Sequence, residues 1–127
     1  RRLEIARRYT EALAGVPGIA PPRVAVPAAH AWHLFVIQVD AGVVGFGRDA
    51  FIERLTERGI GVSVHFIPLH VQPYYREKYG FKPGDFPRAF AAYERMISLP
   101  IYARMSDSDV ARVTDAVCEV AGGTAPA

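Results

Sequence analysis

Cysteine occurs once in the 127 residues, at Cys118, which excludes an internal disulfide and a cysteine-built zinc site. A reducing, cytoplasmic setting is the expectation that follows. Lysine occurs only at Lys78 and Lys82, the other cationic side chains being arginines, so chemistry that needs a lysine amine has two candidates. No apolar run approaches about 18 residues, which leaves no reading of a transmembrane span, and nothing reads as a signal peptide. Charge of one sign is also scarce: 15 cationic against 13 anionic side chains give +2, no argument for nucleic acid or an anionic membrane. No nucleophile-elbow or kinase motif is present. "GVVGFG" at 42–47 lacks the spacing of the dinucleotide fingerprint and a following Gly-Lys-Ser/Thr, so it reads as a connecting loop. An initial Met is missing too. The chain opens at Arg1 inside a charged helical pattern, as the interior of a longer chain would.

What is there fits one α/β domain able to bury a core. Residues 1–14 read as a helix with a stripe of Leu3, Ala6, Tyr9 and Leu13, stopped by Gly15, Pro17 and Gly18. Prolines 21, 22 and 27 keep the next stretch irregular, with a short edge strand at 23–26. "WHLFVIQV" (32–39) is the strongest strand, apolar enough to be covered on both faces. Residues 48–58 form a second helix ending at Gly59. Residues 61–66 alternate as a strand, with Val62, Val64 and Phe66 inward and His65 on the other side. A short helix or turn follows at 72–79, a Pro/Gly loop at 81–86 and a helix at 87–96. "ISLPIY" (97–102) is an edge strand broken by Pro100. Residues 106–121 form the clearest helix. Ser106 and Asp109 are spaced as a capping box, Met105 and Val110 as a hydrophobic staple, and Val110, Val113, Val117 and Val120 as the inward stripe.

The histidines fall in two pairs, His30/His33 and His65/His70. Imidazole is a common metal ligand, but neither pair has further ligands at zinc spacing. His30 reads as a loop residue and His33 as a hydrogen-bonded core histidine. His65, at a strand end where α/β layers form pockets, stays open between a structural and a functional role. Trp32, Tyr74 and Tyr75 could stack on a ring-shaped ligand or pack in the core. Cys118 reads as a small core residue.

Three stretches together, "HAWHLFVIQVD" (30–40), "RGIGVSVHFIPLHVQPYY" (58–75) and "ISLPIYARMSDSDV" (97–110), resemble the C-terminal part of the DegT/DnrJ-type sugar aminotransferases. The leading helix "RRLEIARRYTEAL" fits the same pattern. The resemblance implies the small domain of a type I pyridoxal-phosphate (PLP) enzyme: an α/β fold with a three- to four-stranded sheet and flanking helices. Residues 1–15 would lead in from a large domain, 16–121 would form the small domain, and 122–127 a disordered tail. It implies a full enzyme that moves an amino group from an amino acid, glutamate by resemblance, to a keto-sugar nucleotide in polysaccharide or related amino-sugar synthesis. That enzyme would be a cytoplasmic homodimer, with no nucleic-acid or membrane partner. PLP and the Schiff-base lysine would belong to the large domain; Lys78 and Lys82 lie in the wrong context. In the resemblance His65 is the counterpart of a histidine at the rim of the sugar cleft. Phe66, His70 and His33 complete the expected substrate-binding set, with no catalytic, cofactor-binding or metal residue in this segment. A non-catalytic regulatory or interaction module, and a histidine metal-binding module, are the alternatives. In the chain by itself the helix stripe Leu3, Ala6, Tyr9 and Leu13 is expected to lie uncovered.

Overall fold

The fold is built on one pairing. In a computed structural model that describes residues 1–24 and 30–122, β2 (Phe35–Val39) lies between β1 (Ile19–Ala20) and β3 (Met96–Leu99), antiparallel to both. The register sets Phe35 against Leu99 and Ile37 against Ile97, and these four side chains are buried. Val36 against Ser98 and Gln38 against Met96 occupy the opposite face, because successive strand residues alternate. The expected burial of residues 32–39 on both faces is therefore corrected: Gln38 is exposed and Val36 half-buried. The strand also starts later than expected. Trp32 sits at φ 46, in the left-handed region, and its N–H donates to His30 Nδ1 at 2.9 Å, which makes a bend of the residues before Phe35.

Helices cover the apolar face. α1 (Arg2–Leu13) packs on α6 (Asp107–Val120), and α3 (Arg48–Glu57) on α6 and β3. A four-residue helix, α2 (Ala41–Val44), occupies part of the expected glycine loop, capped by Asp40, whose side chain accepts from the Gly42 N–H. On α1 the buried stripe is Ile5, Ala6, Tyr9 and Leu13, while Leu3 is 67% exposed. The uncovered stripe expected there is thus closed by the chain's own core. The i, i+4 row Ile5–Tyr9–Leu13 decides which face turns inward. Tyr9 crosses the interior: its ring meets Phe35 edge-on at 5.1 Å and its hydroxyl donates to the Pro100 carbonyl at 2.8 Å. Burial pushes the Tyr9 phenol well above its ordinary range.

α6 starts as its sequence requires. The Ser106 side chain accepts from the Asp109 N–H, and the Asp109 carboxylate accepts from the Ser106 N–H at 2.9 Å. The Ser106 hydroxyl also donates to the Asp109 carboxylate at 2.7 Å, and the hydrogen bonds that carboxylate accepts from Ser106, side chain first and then backbone, hold it below its usual value. Met105, Val110, Val113, Val117 and Val120 are buried, and so is Cys118, whose thiol burial pushes up. Arg1 and Arg8 both reach Asp107 and lower its pKa, the hydrogen bond from Arg1 being the larger cause.

Residues 61–66 are not a strand. One bridge remains, Ser63 with Ser98, which exchange both backbone hydrogen bonds (3.3 and 2.8 Å). The next hydrogen-bonded pairs in that register would join Gly61 to Pro100 and His65 to Met96. Pro100 has no N–H to give, and the Met96 N–H is already bound to the Ala92 carbonyl at the end of the preceding helix. The ladder stops at one rung on both sides. Phe66, expected inward, is consequently 73% exposed. The expected edge strand at 23–26 falls partly outside the described residues, and Arg23 and Val24 are in no strand. The 122–127 tail lies outside them beyond residue 122.

Between this bridge and β3 the chain makes an excursion: a 3-10 turn at Leu69–Val71, α4 (Pro73–Tyr79), a second turn at Pro83–Asp85, and α5 (Pro87–Arg95). Proline opens α4, the second turn and α5, where a missing N–H costs little. Neither α4 nor α5 has a buried residue. Ring contacts run through it instead, from Tyr75 to Tyr79, Phe81 and Phe86 and on to His70 and Phe90.

Ser106→Ala should lower stability by about 1 kcal/mol in urea unfolding, the usual loss of a helix cap. Because Asp109 has a lowered folded pKa, its contribution is present above the ordinary carboxylate value and lost as pH falls through the folded one. The acid limb of the stability curve should therefore flatten in Ser106→Ala. An unchanged urea midpoint and acid limb would contradict this assignment of the cap.

Candidate functional site

His65 stands beside the one rung that ties residues 61–66 to the sheet. Its Nδ1 lies 3.0 Å from Ser98 Oγ and 3.1 Å from Ser63 Oγ. Ser98 and Ser63 face each other across the bridge and so project to the same side of the sheet, opposite the Phe35–Ile37–Ile97 core. Ser98 is buried, Ser63 exposed and His65 half-buried. The His65–Phe66 peptide is cis, and the Phe66 ring meets the imidazole edge-on at 4.7 Å. One ring nitrogen is thus fastened to the sheet, and Nε2, across the ring, has no hydrogen-bond partner among the described residues. An imidazole in this state can donate to or accept from an oxygen ligand. Neither serine was legible as part of a site from sequence; the signal was only the bridging register, which requires the fold.

Of the other expected substrate contacts, His70 and His33 do not gather around His65. His70 is 6% exposed, with Nε2 3.3 Å from the Pro83 carbonyl and its ring against Phe86 (4.9 Å). A carbonyl can only accept, so Nε2 carries the proton in that contact. The geometry makes His70 a pin between the two turns of the excursion. His33, expected as a core histidine, is exposed in the bend before β2. The bend turns it out because Trp32 takes the buried place, 5.6 Å from Phe35. Phe66 alone of the set touches His65. His30 lies in an exposed loop, its ring tilted against Trp32 at 4.3 Å. Trp32 Nε1 is buried without a hydrogen-bond partner among the described residues.

The residues that follow His65 in the chain include exposed apolar side chains: Phe66, Ile67 and Leu69 are between 48% and 73% exposed. Two hollows lie elsewhere. One of about 300 Å³ is lined by Ile60, Pro100, Tyr102, Asp109 and Arg112, and another of about 390 Å³ by Arg76, Glu77, Phe81 and Lys82. Among the described residues no three histidine, cysteine, aspartate or glutamate side chains are grouped to hold a metal. No helix among the described residues is long and apolar enough to cross a membrane.

Comparison with known proteins gives these positions a context. The profile of the DegT/DnrJ/EryC1/StrS aminotransferase family matches residues 1–118. The spore coat polysaccharide biosynthesis protein SpsC of Bacillus subtilis (strain 168) is 48% identical over 124 residues, covering 97% of this chain and 32% of SpsC. Among solved structures, DesV of S. venezuelae, in complex with a ketimine intermediate, superposes with a TM-score of 0.86 at 34% identity. The match covers 95% of this chain and 31% of DesV. Spr1654 of Streptococcus pneumoniae, solved in PMP and PLP forms, gives 0.84 at 28% identity, over 95% of this chain and 30% of its own. The chain spans about a third of the length of these relatives.

The residues present do not fit a Schiff-base site for PLP. Lys78 is exposed on α4, its amine donating to the Tyr74 hydroxyl at 2.8 Å, and Lys82 is exposed at the open hollow beside Arg76. Neither amine is enclosed by the protein.

His70→Ala should cost about 0.5–1.5 kcal/mol, because the hydrogen bond between the buried imidazole and the Pro83 carbonyl is lost. Hydrogen exchange should speed up first across residues 69–90. Unchanged exchange there, with unchanged stability, would remove His70 from its structural role.

Proposed function

Since the chain belongs to the DegT/DnrJ/EryC1/StrS aminotransferase family, we propose that it serves as the small C-terminal domain of a sugar aminotransferase. The parent enzyme transfers an amino group from an amino acid, glutamate in this reading, to a keto-sugar nucleotide for polysaccharide or related amino-sugar synthesis. Residues 1–15 lead in from a large domain, residues 16–121 form the small domain, and the parent works as a cytoplasmic homodimer. PLP, which takes up and releases the amino group when bound, belongs to the large domain, as does the lysine that holds it. What supports this division is the placement of Lys78 and Lys82 on open surface.

The chain's own share is substrate contact. His65 carries it, because its imidazole is anchored to the sheet through Nδ1 while Nε2 is left for a ligand. An anchored ring loses little freedom on binding, so a hydrogen bond from Nε2 to a sugar hydroxyl or phosphate oxygen is made at low entropic cost. Phe66 adds an exposed aromatic face next to it. His33 and His70 stay outside this contact set in the reading favoured here, His70 acting through the shape of the excursion.

In the longer chain, His65→Ala should lower kcat/KM for the keto-sugar nucleotide by about 10- to 100-fold, the kinetic equivalent of a hydrogen bond of roughly 1.5–3 kcal/mol to a charged acceptor. Some fall in melting temperature should accompany it, because the buried Ser98 hydroxyl loses its partner, so kcat/KM is the deciding readout. Full kcat/KM together with a fall of several degrees in Tm would make His65 a structural residue and overturn the assignment.

A further inference from the structure

Two hydroxyls converge on one nitrogen of His65, and they are not equivalent. Ser98 Oγ is on a buried residue of β3, and among the described residues its side chain has His65 Nδ1 as its hydrogen-bond partner. Ser63 is exposed and can exchange its hydrogen bonds with water. A hydroxyl carries one donor and two acceptor sites. Leaving a buried donor unmade is costlier than leaving a lone pair unmade. The Ser98 proton therefore has one place to go, the Nδ1 lone pair, and a neutral imidazole that accepts at Nδ1 carries its own proton on Nε2.

We propose that Ser98 is a positioning residue that holds His65 in the Nε2–H tautomer, so that the imidazole meets its ligand as a hydrogen-bond donor to oxygen. The ligand atom it selects is an acceptor, such as a carbonyl, hydroxyl or phosphate oxygen of a sugar nucleotide; this ligand rests on the substrate-contact reading of His65. The serine can do this because its backbone is fixed twice. Its N–H and C=O are paired with Ser63, and its neighbours Ile97 and Leu99 are locked against Ile37 and Phe35 in the core. The tautomer is thereby set from the rigid side of the sheet, with no group of the ligand needed.

The test reads the ring directly. The 127-residue chain is labelled with 15N-histidine, and the two-bond proton–nitrogen correlations of His65, identified by their loss in His65→Gln, are recorded where the ring is neutral. The wild-type ring should carry its proton on Nε2. Ser98→Ala should raise the Nδ1–H share about threefold or more, the ratio a single net hydrogen bond sets. Ser98→Thr, which keeps the hydroxyl, should hold the wild-type pattern, and Ser63→Ala should change it little. Should Ser98→Ala fail to fold, Ser98→Cys keeps the volume, weakens the donor and gives the same comparison. A wild-type ring protonated on Nδ1, or variants lacking the hydroxyl whose tautomer matches wild type, would overturn the proposal. No substrate enters the measurement, so its outcome is separable from that of the His65→Ala kinetics.

Discussion

The β2–β3 pairing is the constraint from which the rest follows. Its register commits Phe35, Ile37, Ile97 and Leu99 to one face, and α1, α3 and α6 have a core to close against because of it. A one-residue slip of β2 would bring Val36 and Gln38 to that face and expose Phe35 and Ile37, and a slip of β3 would do the same with Met96 and Ser98 in place of Ile97 and Leu99. Tyr9 adds a second tie, reaching from α1 to the Pro100 carbonyl just past the end of β3. Each such fully buried apolar side chain is worth roughly 1.5–3 kcal/mol of transfer free energy, far more than the surface ion pairs around Arg1 and Asp107, which stay exposed to solvent.

The same register fixes what the sheet offers on its other side. Ser98 sits there because Ile97 and Leu99 point into the core, and Ser63 is drawn opposite it by a single rung. The rung cannot become a ladder, since Pro100 lacks a donor and Met96 has given its own to α5. The strand therefore ends early, His65 is held at its margin, and Phe66 to Leu69 leave the sheet into open surface. The short pairing is thus what brings an imidazole to an edge with one nitrogen tied and the other without a partner among the described residues. The excursion that follows is held by rings and by His70 rather than by a buried core, which places it at the less stable end of the molecule.

Much of this was legible in the sequence, and the failures have physical causes. The α6 cap could be read because Ser106 and Asp109 act locally, and the valine stripe because its period is helical. The two strands expected at 32–39 and 97–102 were legible from composition, and the structure shortens them to Phe35–Val39 and Met96–Leu99. The strand expected at 61–66 was not there, because its partner's donors are set by a proline and by a helix end elsewhere in the chain. Burial of Ile5 in place of Leu3 depended on which face α6 meets, and the exposure of His33 on a left-handed Trp32. For the site, His65 was visible as a histidine at the end of an alternating run. Ser63 and Ser98 were not, since 35 positions separate them and only the sheet register brings them onto one nitrogen.

The central claim is a division of labour: this chain presents a donor to the substrate, and the amine that holds the cofactor lies outside its 127 residues. The most direct measurement is covalent capture. Incubate the purified chain with pyridoxal phosphate, reduce with borohydride, desalt, and count pyridoxyl groups per chain by intact mass, locating them by peptide mapping. The division of labour predicts only sub-stoichiometric labelling, spread over Lys78, Lys82 and the chain's amino terminus and falling in proportion to cofactor concentration. One pyridoxyl group per chain at a single lysine, retained at low cofactor concentration and lost in Lys78→Ala or Lys82→Ala, would contradict it.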